Sequence, residues 1–280
     1  MISVSQPFQI GIMLGRLSAK YNEPLQSFPS ETWSEEFDRA MSLKLDCLEW
    51  VEDGLSDSIN PLFSSKGRDH LLKLQQDKKI SIDSICCHSF ISGGLTSSNK
   101  IVRLQWLERL QLILKWAKEI SAKAIVIPLM EGSTINNPIK ENIFLDSMHQ
   151  IKSDNNDVKI LLETDLSAEH SLEILQKLNN DSFGLVYDLG NATQLQHDIY
   201  LDIQLLHNVI GEVHFKDKDL NNTYRLGSGE TNFKLAAKAL NDFKWEGRCI
   251  LETPIFNEWQ IEANHNVAFA KKFLSTLKLA

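Results

Sequence analysis

In the second half of the chain, four ionisable side chains close four successive apolar runs. Glu163 ends VKILLE, Asp188 ends FGLVYD, His214 sits near the end of GEVHF, and Glu252 ends RCILE. Three carboxylates brought together without a counter-ion repel one another strongly. A divalent cation removes that cost. Mostly oxygen donors with one nitrogen suit Mn2+ or Mg2+, with Co2+, Fe2+ and Zn2+ as further candidates.

Short β-rich runs alternate with longer helical patterns around these residues. Strands are predicted at 8–13, 47–51, 80–88, 124–130, 158–163, 183–188, 211–215 and 248–252. Helices are predicted near 32–43, 67–78, 99–120, 139–152, after Ser167, at 200–207, at 231–242, and from Asn257 and Gln260 onward. Thr32 and Glu35 fit a capping box for the first helix. Ile101, Leu104, Leu107, Leu110, Leu114 and Ala117 recur at helical spacing along the third, as a core stripe would. Strands alternating with helices argue for parallel pairing through crossovers. Eight such units in 280 residues give the count of a single α/β domain, a (β/α)8 TIM barrel over residues 1–280. An open doubly wound sheet is the alternative, but no GxGxxG follows the first strand.

In a barrel of this kind the active site lies at the C-terminal mouth of the strands. Glu49 and His88 join the four residues above at or near predicted strand ends. Successive strand side chains point to opposite faces, so Glu212, His214 and Lys216 share one face of the seventh strand. One inward face can therefore present the whole set.

Composition narrows the remaining options. The chain is 42% hydrophobic and 24% charged, ordinary for a soluble globular protein. A net charge of −8 argues against nucleic acid as a partner. Four cysteines without metal-site or CxxC spacing read as buried thiols in a reducing compartment. Neither a signal peptide nor a membrane span is apparent, so a cytoplasmic location is expected.

The motifs ILLETD (160–165), LVYDLGNA (185–192), GEVHFKDKD (211–219), LGSGETNF (226–233) and CILETP (249–254) resemble the sugar phosphate isomerase/epimerase family of xylose isomerase-like barrels. In the first half, GIMLGRLS, QSFPSETWSEEF, LDCLEWVED and NPLFS resemble a narrower branch of it. The resemblance implies that Glu163, Asp188, His214 and Glu252 are metal ligands. It also implies that Glu163 and Glu252 are paired acid/base groups on opposite sides of a sugar. One would take a proton from the carbon beside a carbonyl and the other return it, while the ion stabilises the enediolate.

On this reading Arg16, Glu49, His88, Asn191 and Lys216 contact substrate. Lys216 is expected at the rim, steadying an oxyanion or phosphate, and Asp217 faces away to fix the loop. Asn191 departs from the histidine common at its place. The expected function is a metal-dependent sugar or sugar phosphate isomerase or epimerase, with homo-oligomers open. A polyol-ketone dehydratase and a non-catalytic sugar-binding barrel are the alternatives.

Overall fold

The computed structural model describes residues 8–18, 26–151, 158–256 and 258–276. The eight predicted strands are all present: β1 (Phe8–Met13), β2 (Cys47–Glu52), β3 (Ser81–Cys87), β4 (Ala124–Leu129), β5 (Lys159–Thr164), β6 (Phe183–Asp188), β7 (Ile210–Phe215) and β10 (Gly247–Leu251). They pair in parallel, each with its sequence neighbour, and β1 meets β10 to close the barrel. The doubly wound alternative is thereby excluded. A short antiparallel hairpin, β8 (Asp217–Lys218) with β9 (Thr223–Tyr224), follows β7.

Helices α1 (Glu35–Ser42), α2 (Ser65–Lys78), α3 (Lys100–Glu119), α4 (Pro138–Met148), α5 (Ala168–Leu178), α6 (Leu189–Gln194), α7 (Ile199–Leu206), α8 (Phe233–Asp242) and α9 (Trp259–Thr276) surround the barrel. Local chemistry fixes most of their starts. Asn99, Asn137, Ser167, Asp198 and Asn232 each accept a backbone N–H of the first turn, satisfying donors that the helix itself cannot. Val267, Ala270, Phe273 and Leu274 of α9 pack inward as predicted. The proposed helix start at Asn257 lies outside the described residues.

Two expectations are corrected. The capping box is absent: Ser34 precedes α1 without a side-chain cap, and Thr32 turns its hydroxyl to Ser18 at 2.6 Å. The α3 stripe begins only at Leu107, because Ile101 and Leu104 are exposed. The sequence reading also missed α6, which starts directly at the end of β6.

Register decides which side chains reach the barrel interior. β6 and β7 pair Leu185 with Ile210 but Val186 with Glu212, so Gly211 is an extra residue in β7. Regular pairing onward from Ile210 would set Asp188 beside Val213. The bulge instead sets it beside His214, on one face. A Cβ at Gly211 would lie 2.7 Å from Leu161 Cδ2, so a larger residue at the bulge would have to displace the end of that leucine. A second irregularity pairs Glu49 with Ser84. The interior is thus divided. Ala124, Val126, Leu161 and Val186 form a small apolar cluster, while charged groups from β2, β7 and β10 fill the other side.

All four cysteines are free and buried, and burial pushes every one of their thiols up. Among the described residues no helix is long and apolar enough to cross a membrane.

Candidate metal centre and pocket

Glu163, Asp188, His214 and Glu252 converge at the mouth. One ligand atom from each lies within 4.8 Å of the others, and all four residues are buried. Asn191 N donates to Asp188 Oδ1 at 2.9 Å. Asp188 Oδ2 is buried and accepts no well-directed hydrogen bond, although Lys216 Nζ lies 2.8 Å away. His214 Nδ1 faces Glu252 Oε2 at 3.0 Å. Three carboxylates and one imidazole, all buried and converging, fit a divalent ion with a preference for oxygen.

The environment separates the two glutamates. Burial pushes Glu163 up to about 7, against His214, with Glu252 and Asp188 adding repulsion. Burial acts on Glu252 in the same sense, but Lys216, His214 and Arg16 outweigh it and hold that carboxyl well below the usual range. Burial works against the charged form of His214. Glu49, Glu212 and Glu252 overcome it and raise the imidazole well above its ordinary value.

Below the mouth lies a second tier. His214 Nε2 donates to Glu212 Oε1 at 3.1 Å, and Arg248 Nε donates to Glu212 Oε2 at 2.9 Å. Glu49 Oε1 lies 3.3 Å from the same imidazole nitrogen, and Ser84 donates to Glu49 Oε2 at 2.8 Å. Glu49 was expected at the mouth against substrate. Its position corrects that: β2 runs three residues further, to Glu52, and leaves Glu49 fully buried beneath His214. Burial and Glu212 push its carboxyl up to about 8.

A cavity of about 220 Å³ opens above the four residues. Glu163, Glu252, Asn191, Lys216 and Lys218 line it together with Met13, Ile91, Pro128 and Met130, and Gln26, Cys86, His88, Glu131 and Thr223 complete it. His88 is half-buried there, and burial lowers its imidazole. Asn191 Nδ2 donates to Glu163 Oε1 at 3.0 Å, and Lys218 Nζ donates to Asn191 Oδ1 at 3.0 Å. The ammonium has no acceptor to offer, so the Asn191 amide has one possible orientation.

Two cations differ from expectation. Lys216 is not at the rim: it is 8% exposed, with Nζ 2.8 Å from Asp188 Oδ2 and 2.7 Å from Glu252 Oε1. Arg16 is buried as well, donating to Met13 Sδ at 3.4 Å, with Glu252 and Glu36 supporting its charge against burial. Asp217 does fix a loop. Its carboxylate, fully buried, accepts from the backbone N–H groups of Gly227, Ser228, Gly229 and Thr231 at 2.8–3.1 Å.

Sequence reasoning left Gln26, Lys218 and Arg248 unassigned. Gln26 Nε2 donates to Glu252 Oε1 from a loop, and no periodicity marks it. Lys218 extends the alternation Glu212, His214, Lys216 by one further step, a signal that was present.

With fold and site together, the chain belongs to the xylose isomerase-like TIM barrel family, whose pattern matches residues 37–275. It is similar to the L-ribulose-5-phosphate 3-epimerase UlaE of Escherichia coli K12, at 23% identity over 235 residues, 79% of this chain and 82% of that one. An L-ribulose 3-epimerase structure superposes with a TM-score of 0.78 at 16% identity, covering 96% of this chain and 95% of the other. The D-psicose 3-epimerase of Clostridium cellulolyticum H10, solved with D-tagatose, gives 0.75 at 14% identity over 95% and 99% of the two chains.

Proposed function

We propose that the protein is a metal-dependent epimerase or isomerase acting on a ketose or ketose phosphate. One observation carries the reading: ligand atoms of Glu163, Asp188, His214 and Glu252 lie within 4.8 Å of one another at the floor of a sugar-sized cavity. The named activities of the similar proteins, 3-epimerases of ketoses and a ketose phosphate, point the same way.

A bound Mn2+ or Mg2+ would polarise the carbonyl and offset the charge of an enediolate. The chain's own residues do the rest. Glu212 holds the Nε2 proton of His214, so Nδ1, which faces Glu252 Oε2 at 3.0 Å, is the nitrogen that would coordinate. Glu252, kept ionised by its cationic neighbours, is the base for one epimer. Glu163, with its raised proton affinity, returns the proton from the other side, and the two roles exchange in the reverse direction. Two carboxyl groups with environments that push their proton affinities apart are suited to this division. Asn191 steadies Glu163, and Met13, Ile91, Pro128 and Met130 give the cavity lining apolar surface that disfavours water at the carbanionic carbon.

Incubating the Mn2+-loaded protein in D2O with ketoses and ketose 5-phosphates tests the proposal. Deuterium appearing at the carbon beside the carbonyl, in an epimerised or isomerised product, supports it. Loss of water to a deoxy-diketone would assign a dehydratase instead. Absence of exchange with every sugar that binds would leave a sugar-binding barrel.

A further inference from the structure

Lys216 occupies an unexpected place for a substrate contact. Its ammonium lies 2.8 Å from Asp188 Oδ2 and 2.7 Å from Glu252 Oε1, within the cluster. The other oxygens of those two groups are engaged: Asp188 Oδ1 accepts from Asn191 N, and Glu252 Oε2 faces His214 Nδ1. Lys216 therefore holds Asp188 Oδ2, the oxygen Asn191 leaves open, and shares Glu252 Oε1 with Gln26.

The path of its stem is built for it. A Cβ on Gly190 would fall 2.8 Å from Lys216 Cβ and 2.9 Å from Cγ, so only glycine lets the lysine pass inward there. The stem is flexible and carries its charge as a single point. Lys216 also borders the 220 Å³ cavity, which gives the ammonium room to turn away. A divalent ion and an ammonium a few ångströms apart in a buried site repel strongly.

We propose that Lys216 is a resident counter-ion of the cluster, which a divalent ion displaces into the cavity. The inference rests on the metal-dependent reading. Ammonium and ion compete for Asp188 and Glu252. The lysine offsets their charge when no ion is bound. When the ion binds, the ammonium moves to face the sugar's oxygens. The ion therefore binds less tightly than its donor set alone would allow.

Mn2+ titration of the metal-free protein, followed by the electron paramagnetic resonance of free Mn2+, tests this. Lys216→Met is expected to bind Mn2+ at least about tenfold more tightly than the wild type, whereas Lys216→Arg, which keeps the charge, binds no more tightly. Equal or weaker binding by Lys216→Met overturns the inference. A readout on the wild type stands whether or not that variant folds. Reductive methylation read by mass spectrometry should modify Lys216 faster with Mn2+ than without it, and an equal or slower rate overturns the inference. If the wild type takes up no Mn2+, the metal-dependent reading itself falls. Uptake with unchanged protection of Lys216 sinks only the exchange.

Discussion

His214 Nε2 and Glu212 Oε1 lie 3.1 Å apart on the same strand, both fully buried. Arg248 closes the other side of Glu212. Carboxylates in this position set the orientation of a ligating histidine, and losing one typically weakens metal binding about 10–100-fold. Glu212→Ala should do so, and should also leave Arg248 buried without its partner. Removing one member of such a pair is strongly destabilising, by about 3–5 kcal/mol. Mn2+ titration and urea denaturation measure the two effects separately.

Glu163→Gln and Glu252→Gln keep the shape of each side chain and remove its proton chemistry. Each should lower turnover by about a hundredfold or more. The losses should be asymmetric. One variant should fail to exchange the proton of one epimer with solvent, and the other that of its partner. Deuterium incorporation starting separately from the two epimers would show this. Equal loss in both directions in both variants would argue against a two-sided pair.

Without an ion, the stability of the protein should fall as pH rises from about 5 to 8. Glu163 and Glu49 stand at about 7 and about 8 in the folded chain against an ordinary 4.5. A raised carboxyl contributes stability below its unfolded value and loses it as pH climbs through the folded one. His214, also raised, acts in the same direction above 6.5. Glu212 and Glu252 are lowered, so their contribution is lost on the acid side, below 4.5. Melting temperatures in EDTA across this range should decline. Mn2+ should flatten the decline, because it favours the ionised carboxylates.

Asp217 gathers four backbone N–H groups. Asp217→Ala strands those donors around a fully buried position. An unsatisfied buried donor costs about 1–3 kcal/mol, and relaxation of the loop will recover part of the total. A loss of about 2–4 kcal/mol in urea denaturation is expected, with Asp217→Asn intermediate. A change under 1 kcal/mol would mean that the loop does not depend on the carboxylate.

The barrel and its four central residues were legible because both follow from short-range periodicity. Alternation in β7 placed Glu212, His214 and Lys216 on one face, and the apolar runs ending in Glu163, Asp188 and Glu252 marked strand ends. Depth within the barrel was not legible. Glu49 shares the inward face but sits a tier lower, where β2 continues to Glu52 and an irregularity sets it opposite Ser84. Stagger between strands determines that, and a single strand's pattern does not record it. Lys216 was misplaced for a different reason: alternation gives the direction of Cβ, not where a four-carbon stem ends. Ile101 and Leu104 kept helical spacing but lie largely exposed at the start of α3. Gln26 depends on a long-range contact with Glu252, beyond the reach of any local pattern.

The thiols offer a use of their own. Cys47, Cys87 and Cys249 are sealed in the interior, whereas Cys86 borders the cavity. An alkylating reagent will leave the first three untouched until the chain opens globally, so their labelling rate is a clock for unfolding under native conditions. Cys86 keeps separate time. Its labelling follows access to the cavity, and a sugar seated there should slow that hand alone.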